Sequence, residues 1–482
     1  MRICLICEGS YPYVSGGVSG WVQMLCQNLP EMEFVIWSIA TTREEMSVYK
    51  YELPENVKEV RTIYLGEDSF QTKYKKIRLK KSEREVLKAL VTGGEREIDW
   101  QKVLAFIVTY REKLVDILMG EDFYRICLDS YRLSNLSQVF FEYLWNLRAM
   151  YFPFMKTLTG ELLEADVYHA LSTGYAGILG SVASYATGKP LLLSEHGIYT
   201  REREEDIIRM EQLEGEFKEL WIDFFKKISR ISYQQAKVVT SLFYVNKTLQ
   251  IELGCPEEKI RVIPNGVAVE EYEHLSSKNK LKNTQLNIAA VLRVVPIKDV
   301  KTMLLAYQYV KEELPNTQLA ILGGYEENPV YYEECLELIR SLRIEDVTFY
   351  GQVNIKDYLP DIDLLLLSSI SEGQPLAMLE GMAAGIPFVS TNVGDCKGLL
   401  EGNPGDTLGK AGIIVPVMDS KAMAAAILTL TKNPALRKEM GDIGKQRVKS
   451  YYQKEFFLRQ YDALYQELYS ESGGKMDGGD WI

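Results

Sequence analysis

Histidine is scarce in this chain, 3 among 482 residues. His169, His196 and His274 stand far apart, with no cysteine or carboxylate cluster beside them, which argues against a metal site. Cysteine is thin as well. The 7 cysteines are scattered and odd in number, a pattern that suits reduced thiols in a cytoplasmic compartment. Cys4-x-x-Cys7 has the letters of a redox pair, but it lies inside the apolar run Ile3-Cys4-Leu5-Ile6-Cys7 and reads as buried strand. No apolar run is long enough to span a bilayer. The N-terminus enters a strand at once, so no signal peptide is expected. Solenoid repeats and low-complexity tracts are missing too. Basic charge is in deficit: 55 basic against 67 acidic residues give −12, a balance that speaks against a general nucleic-acid binder.

With 482 residues, 46% of them apolar and 25% charged, the chain is long enough for two or more domains with sizeable cores. A strand at 1–7, a glycine-bearing loop at 8–20, a helix at 21–29 and a strand at 34–39 open a doubly wound α/β domain. From about 66 to 151 the rhythm becomes helical and strand signals vanish, which predicts a helical insertion. Strands resume at 167–171, 191–194, 238–241 and 260–263. The polar stretch 272–285, with Ser276, Ser277, Lys278, Asn279, Lys280 and Lys282, is the expected interdomain linker. Beyond it, short apolar strands at 287–292, 319–322, 348–350, 364–367, 388–390 and 413–415 alternate with helices, a second doubly wound domain. Residues 434–469 read as an amphipathic helical tail, capped by Asn433 with Pro434 first. Gly473, Gly474, Gly478 and Gly479 read as a frayed end. The expected domains are therefore 1–275, with the insertion at about 66–151, and 284–448, followed by helices at 449–472 that pack back on the first domain.

The chemistry concentrates in Glu372-Gly373-Gln374-Pro375-Leu376-Ala377-Met378-Leu379-Glu380, which follows the buried strand Leu364-Leu365-Leu366-Leu367. A strand, a turn and a helix start gather unpaired backbone N–H groups at one point, and such a point binds anions. The two acids then face different parts of one ligand, such as a diphosphate with a hydroxyl-rich group at each end. Arg293 and Lys298 follow the first strand of the second domain, where a guanidinium fork and an ammonium can neutralise a diphosphate. Read alone, they are two solvated loop charges. Gly16-Gly17 follows the first strand of the first domain and lets backbone approach an oxygen-rich ligand. It is not G-x-G-x-x-G, no acid closes the second strand, and a plain tight turn is the other reading. His196 ends the strand before Gly197 and is well placed to reach a cleft. His169 ends another strand and reads equally as a satisfied near-core residue. Asp361-x-Asp363 reads as turn or capping duty rather than a metal pair. Asn265-Gly266 is a turn near the hinge. Residues 73–88, with Lys73, Lys75, Lys76, Arg78, Lys80, Lys81, Arg84 and Lys88, form either a solvated face or a dock for anionic lipid or an acidic partner.

The Glu372-x7-Glu380 element, with the upstream Arg293 and Lys298 and this strand order, resembles the retaining family-4 glycosyltransferases of the GT-B fold. The segments Glu8-Gly9-Ser10-Tyr11-Pro12-Tyr13-Val14-Ser15-Gly16-Gly17-Val18-Ser19-Gly20-Trp21 and Ser194-Glu195-His196-Gly197-Ile198-Tyr199-Thr200-Arg201-Glu202-Arg203 resemble the PelF proteins, cytosolic glycosyltransferases of Pel exopolysaccharide systems. The resemblance covers nearly the whole chain apart from the insertion. It implies two Rossmann-like doubly wound domains facing across a cleft. It implies retaining transfer of a sugar from UDP-glucose or a UDP-N-acetylhexosamine to an acceptor hydroxyl. By the same resemblance Glu380 holds the ribose hydroxyls and Glu372 meets the donor sugar. Arg293 and Lys298 grip the diphosphate beside the turn of Gly373, Gln374, Pro375 and Leu376. His196 lies close to the transferred sugar, and Gly16 and Gly17 approach the phosphates. The UDP-sugar is a substrate, and no cofactor or metal is expected. The expected partners are a carbohydrate acceptor and a membrane-bound polysaccharide synthase complex, reached from the cytoplasm or the inner membrane face. The rival readings are a nicotinamide-dependent oxidoreductase, a nucleotide-sugar sensor or scaffold without turnover, and a glycogen- or sucrose-type synthase.

Overall fold

In the computed structural model the described residues are 1–43, 48–66, 74–96, 98–134, 139–213, 215–275 and 285–473. Lys73, the linker residues Ser276, Ser277, Lys278, Asn279, Lys280 and Lys282, and the terminal Gly474, Gly478 and Gly479 lie outside them. The chain forms two compact units. The first comprises Met1–Ser241, Asn246–Val262 and Tyr461–Ile482; the second comprises Leu242–Val245 and Ile263–Gln460.

Among the described residues the first unit holds seven parallel strands: β1 (Arg2–Glu8), β2 (Glu33–Ala40), β3 (Val57–Tyr64), β4 (Val167–Ala170), β5 (Leu191–Glu195), β6 (Val238–Ser241) and β7 (Ile260–Val262). Their order is β3-β2-β1-β4-β5-β6-β7, so the chain winds outward in both directions from β1 and β4. Open parallel sheets bind ligands at the carboxyl ends of the strands beside such a switch point. Strand β3 is not legible as an apolar run. In Val57-Lys58-Glu59-Val60-Arg61-Thr62-Ile63-Tyr64 charges interrupt the pattern, as suits an edge strand, and among the described residues only β2 pairs with it.

Between β3 and β4 the helical insertion appears as Lys81–Thr92, Trp100–Tyr110, Leu114–Leu118, Glu121–Leu133 and Phe140–Thr157. Their apolar faces (Leu87, Val103, Leu104, Phe123, Tyr151) join one core with Val35, Trp37 and Ile39 of β2. Tyr151 is fully buried and donates its hydroxyl to the Leu90 carbonyl at 2.8 Å, which satisfies its polar end.

The second unit holds six parallel strands: β8 (Leu286–Val291), β9 (Thr317–Leu322), β10 (Val347–Gly351), β11 (Leu364–Leu367), β12 (Phe388–Thr391) and β13 (Gly412–Val415), in the order β10-β9-β8-β11-β12-β13. Helices cover both faces, so the central strands are apolar throughout. Leu364 and Leu366 enter one core and Leu365 and Leu367 the other, as the two-residue period of a strand requires. The switch point lies between β8 and β11.

The expected tail is two helices, Pro434–Tyr451 and Lys454–Glu471. Asn433 caps the first by accepting from the Leu436 N–H at 3.0 Å. No proline or glycine makes the break between them. Val267 makes it, donating to the Tyr452 carbonyl at 2.9 Å and accepting from the Lys454 N–H at 3.0 Å. All seven cysteines are buried free thiols. Among the described residues no helix is long and apolar enough to cross a membrane.

Candidate functional site

In the C-terminal unit the loops after β8 and β11 meet at the switch point. The Ile370 N–H donates to the Ile297 carbonyl at 2.8 Å, and Ser368 Oγ donates to the Lys298 carbonyl at 2.8 Å. These bonds bring Lys298 and Glu372 together. Lys298 Nζ lies 2.5 Å from Glu372 Oε1, and Ser369 Oγ donates to the same oxygen at 2.6 Å. The pair is mostly withdrawn from water, with side chains 17% and 10% exposed. A charge pair so placed keeps its strength against solvent screening.

Two glycines let the neighbouring loops close on this point. Gly394 has φ 51°, and a Cβ there would stand 2.1 Å from the Gly373 carbonyl oxygen. Gly323 has φ 149°, and its Cβ would stand 1.9 Å from the Leu292 carbonyl oxygen, just before Arg293. Arg293 itself is exposed and turns to Glu327, with Nη1 2.5 Å from Oε2.

The helix Leu376–Ala383 starts at Pro375, with no side-chain cap and no acid in its first turn. Its amino end is therefore electropositive. Gln374 just before it is buried, and its side chain is engaged within the fold. Oε1 accepts from the Asn265 N–H at 2.7 Å, and Nε2 donates to Asp395 Oδ2 at 2.7 Å. The side chain thus fixes the turn, and Asn265 acts as its partner. Burial pushes the Asp395 carboxyl up to about 7, against the hydrogen bonds from Gln374 and Asn403.

Glu380 lies within the same helix and accepts from Tyr272 Oη at 3.1 Å. Burial pushes its carboxyl up, while the Tyr272 hydrogen bond and the Lys356 charge work the other way. Lys356 stands over the Tyr272 ring at 5.2 Å. Sequence reasoning missed Tyr272, because the polar stretch that follows made it read as linker. It is in fact buried in the core. Asp363 takes the Asn287 N–H on Oδ2 at 3.0 Å, which ties the start of β11 to β8, and Asp361 ends a short 3-10 turn. Among the described residues no three His, Cys, Asp or Glu side chains gather as metal ligands.

Gly16, Gly17 and His196 belong to the N-terminal unit. The helix Gly17–Asn28 begins without a side-chain cap, and among the described residues a Cβ on Gly16 or Gly17 would meet nothing within 4 Å. The Gly16 N–H donates to Tyr51 Oη at 3.3 Å. His196 follows β5 and sets its ring edge-on to Trp21, centroids 4.8 Å apart. Its Nε2 is shut off from solvent and meets no hydrogen-bond partner among the described residues. Burial lowers its pKa to about 4, so the ring is neutral at neutral pH.

Beneath His196 lies a buried polar network. His169 pairs Nδ1 with Tyr465 Oη and Nε2 with Ser194 Oγ, each at 2.7 Å, which makes it the satisfied core histidine of the two readings. Glu195 accepts from Tyr233 Oη at 2.5 Å, Gln250 Nε2 at 3.0 Å and Thr173 Oγ1 at 3.0 Å. Glu8, at the end of β1, enters the sequence reading only as part of the quoted Glu8–Trp21 segment and is given no role there. It accepts from Tyr199 Oη at 2.9 Å and from the Ala176 N–H at 3.2 Å. Its position at a strand end next to Gly9 was the available signal.

Residues 1–258 match a family model described as Domain of unknown function (DUF3492). The chain belongs to this family. Residues 271–447 of this DUF3492 protein match the model described as Glycosyl transferases group 1, so its C-terminal unit carries a glycosyltransferase domain. The chain is 27% identical over 257 residues to N-acetyl-alpha-D-glucosaminyl L-malate synthase of Bacillus anthracis, covering 51% of this chain and 64% of that one. It is 24% identical over 326 residues to the capsular polysaccharide biosynthesis glycosyltransferase CapM of Staphylococcus aureus, covering 63% and 77%. The first of these matches thus spans less than two thirds of the relative's length. Among solved structures, Anabaena HepE in complex with UDP superposes with a TM-score of 0.62 at 15% identity, covering 97% of this chain and 100% of that one. At such identity the likeness speaks for the fold, which is GT-B: two Rossmann-like units, each with a parallel sheet.

Proposed function

We propose that this DUF3492 protein is a retaining family-4 glycosyltransferase that moves a sugar from a UDP-sugar to an acceptor hydroxyl in exopolysaccharide synthesis of the Pel type. The observation that carries the reading is the junction of the β8 and β11 loops, with Lys298 on Glu372 at 2.5 Å and Glu380 farther along the same segment. The match to a glycosyl transferases group 1 model supports it, as do relatives whose names state glycosyl transfer and capsular polysaccharide synthesis.

In this reading Lys298 and Arg293 hold the diphosphate, together with the amino end of the helix Leu376–Ala383. The leaving diphosphate gains negative charge as the glycosidic bond breaks, and these groups stabilise that charge without a metal. A hydrogen bond to a charged group contributes about 1.5–3 kcal/mol. Only the part that strengthens in the transition state accelerates the reaction, at about 1.4 kcal/mol per tenfold. Three such elements together supply on the order of 10³-fold. Glu372 orients the donor sugar while paired with Lys298, and Glu380 takes the ribose hydroxyls with Tyr272 as its fixed neighbour. Neutral His196 offers a ring nitrogen to a sugar hydroxyl or to a developing oxocarbenium centre. Gly16 and Gly17, which carry no Cβ, let the backbone come close to phosphate oxygens. The protein acts beside a membrane-bound polysaccharide synthase and draws on the cytoplasmic nucleotide-sugar pool.

The test is turnover of UDP-glucose and UDP-N-acetylglucosamine, each with and without a chelator. Release of UDP from either donor, undiminished by chelation, is expected. No release from either donor, with tight binding of one, would favour a sensor. Loss on chelation that magnesium restores would contradict the metal-free chemistry.

A further inference from the structure

The helical insertion carries exposed apolar side chains that no part of the sugar-transfer reading uses. At the junction of helices Glu121–Leu133 and Phe140–Thr157, Leu133 is 85% exposed, Val139 60%, Phe141 66% and Trp145 39%. Single exposed apolar residues are ordinary, but four at one helix junction are not. Phe141 and Trp145 lie one turn apart and in ring contact, with centroids 5.9 Å apart. Arg148 lies one further turn along and sets its guanidinium over the Trp145 ring at 5.4 Å.

The basic segment is tied to helices Leu114–Leu118 and Glu121–Leu133 of the same insertion. The Lys75 N–H donates to Asp116 Oδ1 at 2.8 Å and the Leu79 N–H to Asp122 Oδ2 at 2.9 Å. The segment's backbone is thus tied to the insertion, while Lys75, Lys76 and Arg78 are exposed. Asp116 and Asp122 take these backbone N–H groups, and Asp122 also pairs with Arg84 at 3.7 Å.

We infer that the insertion docks on an anionic lipid surface, with Phe141, Trp145 and Leu133 entering the headgroup boundary and Lys75, Lys76 and Arg78 meeting lipid phosphates. Charge complementarity selects that occupant. The chain as a whole carries −12, so an anionic bilayer repels most of its surface and attracts this segment. Aromatic and aliphatic tips with flanking cations are the composition of membrane-surface elements. The inference rests on the N-terminal insertion alone and stands apart from the sugar-transfer reading.

The full chain is sedimented with phosphatidylcholine vesicles, with and without phosphatidylglycerol. Co-sedimentation with the anionic vesicles and not with the neutral ones is expected, and raised salt weakens it. Lys75→Glu/Lys76→Glu/Arg78→Glu lowers the partition by on the order of 100-fold or more. Leu133→Ser/Phe141→Ser lowers it by about tenfold or more. Both variants keep the wild-type melting temperature and UDP affinity, which separates lost docking from lost folding. Wild-type protein that stays in the supernatant with anionic vesicles overturns the inference, as does partition that neither variant changes. Lys298→Ala leaves partition untouched, so this inference and the donor-site reading fail independently.

Discussion

The two sheets present their candidate groups at strand ends by contrasting means. In the C-terminal unit the groups are ionisable side chains: Lys298 on Glu372 and Arg293 on Glu327 after the strands, and Glu380 within a helix, bonded to Tyr272. In the N-terminal unit they are neutral or buried. His196 leans on Trp21, and the strand that carries it is fixed by Glu195, bonded to Tyr233, Gln250 and Thr173. One unit is built to meet charge and the other to hold a ring and a backbone in place. A substitution in the first should therefore change chemistry more than stability, and a substitution in the second the reverse.

The largest effect is expected at Lys298. Lys298→Ala should lower kcat/KM for UDP-sugar turnover by roughly 10²–10³-fold, measured beside a circular dichroism spectrum that stays native. The N-terminal counterpart is Glu195→Ala. It strands three buried donors and should destabilise its unit by about 3 kcal/mol in denaturant unfolding. A variant as stable as the wild type would erase the contrast.

Titration sharpens the comparison next. Asp395 has a folded pKa raised from 3.8 to about 7 by burial. The folded state therefore binds the extra proton, and the stability this contributes is present at low pH and lost as pH rises through about 7. Asp395→Asn should flatten that limb of the stability curve between pH 3.8 and about 7. His169 has the opposite sign. Burial lowers its pKa from 6.5 to about 3, so its contribution is present above 6.5 and lost as pH falls toward 3. The smallest effect is expected at Tyr461, whose hydroxyl lies 3.0 Å from Thr240 Oγ1 and 3.2 Å from Ser194 Oγ. Tyr461→Phe should cost about 1 kcal/mol of stability and leave UDP affinity unchanged.

Much of this was legible in the sequence, for reasons that also explain the omissions. Strands covered on both faces must be apolar throughout, so Leu364-Leu365-Leu366-Leu367 announces itself. Edge strand β3 carries Lys58, Glu59 and Arg61 and gives no such signal. The stop between the last two helices depends on Val267, nearly two hundred positions away, and no local pattern encodes it. Lys298 and Glu372 were visible because charges directly after buried strands need a reason to be there. Tyr272 was not, because its neighbours are polar and its own burial is tertiary. For Gln374 the sequence shows the position but not the duty. Only the bonds to Asn265 and Asp395 show that its side chain holds the turn.

The central claim is that the C-terminal unit binds a nucleoside diphosphate through Lys298 and Glu380. Calorimetric titration of UDP into the wild type, Lys298→Ala and Glu380→Ala tests it most directly. The account predicts saturable binding by the wild type and at least about tenfold weaker binding by each variant, as loss of one charged hydrogen bond requires. Equal affinity in all three proteins would contradict it.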